Sequence, residues 1–163
     1  MVKELFLSTA NSDITLSGRF IPEGLSEFNT IVRLSMKDMV SLFSLHSYPE
    51  DRGSIYAKGI VRLHPQAFSS QWPQLAQKIE LRLNAKAGLR LENLMEFFRV
   101  PERLSGNLRA DLLLKGSLLE PEIEGRTHLT QGSLFGVKID EMSSDFSYRD
   151  HRLLFPQAEA RLY

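Results

Sequence analysis

The chain has no cysteine, a single tryptophan and no surplus of either charge: twenty lysines and arginines balance twenty aspartates and glutamates among 163 residues. Without cysteine there are no disulfides and no thiolate metal ligands. The compartment stays open on this count, since a reducing cytosol and a periplasm that never needed a bridge fit equally. Zero net charge and the lack of a basic block leave no footprint for nucleic acid. No run of about eighteen apolar residues occurs, so no membrane-spanning helix is expected within these residues. The opening Met1-Val-Lys-Glu-Leu-Phe-Leu-Ser turns acidic and then polar too early for a signal peptide. The closing Ala158-Glu-Ala-Arg-Leu-Tyr163 stops inside an expected strand, and the two ends together suggest a segment cut from a longer protein.

Catalytic signatures are equally scarce. There is no Gly-x-Ser-x-Gly elbow, phosphate loop or dinucleotide fingerprint. His46, His64, His128 and His151 share no ligand spacing. Glu122 and Glu124 fall on one side of a strand, but Arg126 interleaves with them there, which reads as a hydrated surface and not as an acid/base pair. No catalytic residue, metal site or cofactor is expected, and the chain reads as a non-enzyme.

What the sequence has in quantity is alternation. Hydrophobic residues make up 42% of the chain, enough for the core of one domain or of one unit in a repetitive array. Ile14, Leu16, Gly18 and Phe20 alternate with polar residues; after a turn at Pro22–Gly24, Val32, Leu34 and Met36 do the same. Ile55 to Leu63, Ile79 to Ala87, Leu108 to Leu114 and Ile123 to Leu129 repeat the pattern, each with a charged opposite face. Gly132-Ser-Leu-Phe-Gly136 predicts a tight hairpin. Two segments switch to helical spacing, Asp38 to Leu45 and Asn93 to Val100, each followed by Pro-Glu, a glycine and an alternating strand. These form an internal repeat, 38–63 and 93–116, offset by fifty-odd residues. Pro65 to Ala76 reads as a loop or short helix, and Trp72, Phe97 and Phe98 as helix packing residues.

The expected fold is mainly β: an open, curved sheet of about ten strands with two or three short helices, strand direction undecided. At about 4.8 Å per strand it would be on the order of 45 Å wide and must curl. Residues 1–163 are taken as one segment of such an array.

The order Leu104-Ser-Gly-Asn-Leu-Arg-Ala, then Gly116-Ser-Leu-Leu-Glu-Pro-Glu-Ile-Glu-Gly125, then the Gly132–Gly136 hairpin, a strand ending near Tyr148 and Leu153-Leu-Phe155, resembles the TamB and AsmA-like family of bacterial envelope proteins. The resemblance covers about sixty residues, and its motif is short and degenerate. It implies a taco-shaped β-groove in the periplasm, part of an inner-membrane-anchored protein whose membrane contact comes through parts outside this chain. It further implies contact with phospholipid acyl chains and transport of phospholipid between the membranes. A second implied role is a scaffold for outer-membrane assembly proteins or autotransporters, using a free strand edge. A third reading is a small β-domain that binds one apolar ligand in a closed barrel.

In the groove reading the lining residues are Leu108, Leu112, Leu114, Ile123, Leu129, Val137, Ile139, Phe146, Leu153 and Phe155. The same stripe also fits ordinary core, closed by the helical segments and sheet curvature.

Overall fold

Alternating side chains on consecutive segments joined by short turns dictate antiparallel pairing, because parallel neighbours need long crossovers. The structure, a computed structural model, describes residues 4–38, 53–65, 74–92, 104–150 and 152–163. It contains nine strands: β1 Glu4–Ser8, β2 Asp13–Arg19, β3 Ser26–Ser35, β4 Gly53–Leu63, β5 Ile79–Arg90, β6 Ser105–Ser117, β7 Pro121–Leu134, β8 Val137–Arg149 and β9 Arg152–Leu162. The short helix α1, Gln74–Gln77, leads into β5. The strands form one sheet in strict chain order, β1 through β9, with every neighbour antiparallel. β1 and β9 do not pair, so the sheet is open and no closed barrel forms among the described strands.

Nine strands fall among the described residues, where about ten were expected in the whole chain, and β1 was not anticipated. Direction, undecided from sequence, is antiparallel throughout. Met36, expected to continue the strand, instead leaves it: β3 stops at Ser35 and residues 36–38 are helical. Met36 folds back against Gly53 and Leu89, where a Cβ on Gly53 would stand 2.7 Å from the Met36 Cγ. The bodies of the two expected helices, with Trp72, Phe97, Phe98, His46 and His151, lie outside the described residues.

The strand halves of the proposed repeat, β4 and β6, flank β5 on its two sides. Ala57 pairs with Ala85, which pairs with Leu112, so the row from Ala57 arrives one alternation beyond Ala110, its counterpart by sequence. Each repeat is therefore staggered by about 6.6 Å along the strand direction, a shear that tilts strands and promotes coiling of the sheet. Burial concentrates at the centre: Ala57, Leu83 and Ala85 are buried, with Val32, Val61, Leu112 and Leu114 packed against them.

Candidate functional site

Residues paired across an antiparallel ladder share a face, so the registers settle which side chains lie together. One row runs Ile14, Val32, Ala57, Ala85, Leu112, Gly125 and Phe146. The row beside it runs Leu16, Thr30, Gly59, Leu83, Leu114, Ile123 and Tyr148. On the other flank Gly53, Leu89, Leu108, Leu129 and Met142 form a third. Between the first and third lie Ala87, Ala110, Thr127, Ser144 and Ala158, a row of smaller side chains crossing the strands. All of these rows belong to the same face.

Irregularities keep that face apolar to its end. β7 carries one residue more than β6 between Leu129 and Ser133, with Gln131 at φ 52°. Gly106 and Gly132 permit the close contact this requires, since a Cβ on Gly106 would stand 2.8 Å from the Gly132 Cα. β8 carries an extra residue against β9 between Ile139 and Glu141. The two bulges restore phase, so Ile139, paired with Gly132, returns to the side of Leu129. Both are buried, at 4% and 5% exposure.

The expected lining residues are therefore brought to one face. Leu108, Leu112, Leu114, Ile123 and Phe146 are half-buried and Leu129 and Ile139 buried, while Val137 and Phe155, near the turn and the edge, are 50% and 58% exposed. The Phe146 and Phe155 rings stand 6.5 Å apart, centroid to centroid. Leu153 pairs with Tyr148 in the ladder, and its side chain lies outside those described. Sequence reasoning confined the lining to the last third of the chain. The face extends further, through Ile14, Leu16, Phe28, Val32, Val61, Leu83 and Ala85, all signalled by the same period-two pattern.

Polar groups on this face are satisfied internally. The Thr127 hydroxyl donates to the Ser144 carbonyl at 3.2 Å, and the Ser144 hydroxyl donates to the Gln157 carbonyl at 3.0 Å. No buried side-chain polar atom lacks a partner among the described residues. The buried polar groups of the described part of this face are thus satisfied within the protein.

The opposite face is an ion-pair ladder. Arg33 meets Asp13 at 3.0 Å, Arg62 meets Glu27 at 2.8 Å, Lys115 meets Glu124 at 2.7 Å and Arg126 meets Asp145 at 2.7 Å. Arg149 reaches Glu122 at 2.6 Å. The hydrogen bond and charge of Arg126 hold the Asp145 carboxyl below its usual range, and those of Arg149, with help from Lys115, do the same for Glu122. Glu122 was expected to sit among charges beside Arg126; its partners are Arg149 and Lys115, and Arg126 is taken by Asp145.

His128 is the one feature here that resembles chemistry. Its Nδ1 lies 3.0 Å from the Ser143 hydroxyl and its Nε2 3.5 Å from Glu141. The three side chains sit on the solvated, charged face, on strands whose residues 128, 141 and 143 are paired in the β6–β7 and β7–β8 ladders. His64 pairs with Glu80 at 2.7 Å. Among the described residues no three histidine or acidic side chains converge as a metal site. Comparison with family models, with curated proteins and with solved structures finds no match to this chain.

Proposed function

We propose that the chain is a non-enzymatic segment of a hydrophobic β-groove that carries phospholipid by its acyl chains between the inner and outer membranes of a bacterial envelope, in the periplasm. The observation that carries this reading is the single apolar face running across an unclosed sheet, with half-buried side chains still open to an acyl chain. The resemblance of Leu104 to Phe155 to the TamB and AsmA-like family points the same way. The rows of side chains cross the strands, so an acyl chain lying along them would pass from β5 toward β9. Each methylene covered there contributes about 0.8 kcal/mol, so affinity arises from many weak contacts and permits sliding.

The test is mass spectrometry of the purified chain after gentle extraction, with Leu112→Asp in parallel. Co-purified phospholipid with the native chain and its loss from a folded Leu112→Asp variant are expected. A folded native chain free of lipid would contradict the proposal. The scaffold reading draws instead on the unpaired edges β1 and β9, and under it edge substitutions would do more damage than Leu112→Asp.

A further inference from the structure

Of the ten glycines, three hold positive φ and six would place a Cβ less than 3 Å from another atom; Gly88 alone has neither constraint, and a Cβ there would meet nothing within 4 Å. Glycine inside a strand costs backbone entropy and gives up a side chain to pack, so an unforced one marks a place where something else comes close.

Gly88 lies on the charged face of β5 between Lys86 and Arg90, all three exposed. The Leu118 N–H donates to the Ile79 carbonyl at 2.9 Å, and the unbroken β5–β6 register carries that alternation along the ladder. Gly88 and Arg109 are therefore a non-hydrogen-bonded pair, with Cα atoms about 4.5 Å apart and side chains at their closest. Arg90 pairs with Asn107 and stands diagonal to Arg109, about 7–8 Å away. A hollow of about 430 Å³ opens here, lined by Gly88, Arg90, Asn107 and Arg109, with Leu89 and Leu108 from the row on the other face. No acidic residue lines it among the described residues. The acids around it have other partners. Asp111 meets Lys86 at 3.3 Å, Glu92 lies 3.9 Å from Arg90 and accepts the Gly106 N–H at 3.4 Å, and Glu141 lies 3.5 Å from His128, the residue paired with Arg109 on β7. Arg109 itself has no acidic partner among the described residues.

We propose that Gly88 is the floor of an oxyanion seat, in which a phosphate or sulfate group lies between the Arg109 and Arg90 guanidiniums. The Asn107 amide, which reaches Gln131 Oε1 at 3.5 Å with one N–H, has a second to offer as a further donor. A guanidinium fork takes two oxygens at once, and two forks reaching in from neighbouring strands suit a tetrahedral group better than a planar carboxylate. The seat is solvated, so its dissociation constant for inorganic phosphate is on the order of 1 mM. It lies on the face opposite the apolar rows, and so goes beyond the lipid-groove reading and does not depend on it.

The test is titration of the chain with inorganic phosphate at constant ionic strength, followed by amide NMR. Saturable shifts at Gly88, Arg90 and Arg109 are expected, with none from chloride. Arg109→Gln, and Gly88→Glu, which sets a carboxylate in the open space, should each weaken binding about tenfold or more. Arg82→Gln, on the same face and also without an acidic partner among the described residues, should leave it unchanged. Dihexanoyl phosphatidic acid separates the sources of the phosphate. Binding equal to that of inorganic phosphate assigns the seat to a free or water-soluble phosphate, and binding about tenfold tighter assigns it to a lipid headgroup. Shifts that chloride reproduces, that fail to saturate below about 20 mM phosphate, or that survive Arg109→Gln would overturn the proposal. Arg109→Gln decides the matter even where Gly88→Glu disturbs β5.

Discussion

Arg109 and Leu112 are three positions apart on β6 and belong to two different chemistries. The face of Leu112 is bound by packing and carries the buried residues of the sheet. That of Arg109 is a lattice of solvated ion pairs. Exposed pairs contribute little to stability because water already solvates both partners and salt screens them. The sheet is thus held from one side, and its other side presents solvated charge.

The largest break in this contrast is expected at the packed centre. Leu83→Ala should cost about 2–4 kcal/mol in urea unfolding, whereas Arg82→Ala, its neighbour on the charged face, should leave the midpoint almost unchanged. A smaller loss is expected at Gly59, which sits in the row of Leu83. A Cβ there would lie 2.0 Å from the Arg82 carbonyl oxygen, so Gly59→Ala must push β4 from β5, at about 1–3 kcal/mol by the same assay.

The third effect depends on pH. Hydrogen bonds from Ser12, Thr9 and Asn11 hold the Asp38 carboxyl down to about 2, below its ordinary 3.8. A carboxyl with a depressed folded-state pKa adds stability above the unfolded value and loses it as pH falls toward the folded one. The unaltered chain should therefore lose stability between about pH 4 and pH 2, and Asp38→Asn should flatten that part of the curve in acid titration followed by circular dichroism. The smallest effect is expected for the Arg126–Asp145 pair. Replacing either or both with alanine should shift the urea midpoint barely at all, and less still at 1 M salt.

Most of the sheet is legible in sequence because facing follows from parity alone, and parity is written as alternation in β2 through β8. Antiparallel direction was left undecided by sequence and comes from the pairing, with turns as short as Phe135–Gly136, both at positive φ. Three features escape this reading for physical reasons. β1 is a continuous apolar run, Leu5-Phe-Leu7, exposed at an edge, so it shows no alternation. The end of β3 is decided by Met36 packing over Gly53 and Leu89, a tertiary contact that periodicity cannot register. The bulges at Gln131 and Asp140 shift phase between strands, and their only trace in sequence is the pair of glycines, Gly106 and Gly132, that accommodate the first. The extent of the apolar face over the first half of the chain was legible too, but only register shows that its rows join those of β6 to β9.

The central claim is that the apolar face meets lipid and the charged face does not. A benzophenone amino acid placed at Leu112 and, separately, at Arg109, followed by irradiation in whole cells, reads this contrast directly. Phospholipid adducts at Leu112 and none at Arg109 are the expected result. Adducts at neither position in a folded, expressed chain would contradict the account and return the face to ordinary core.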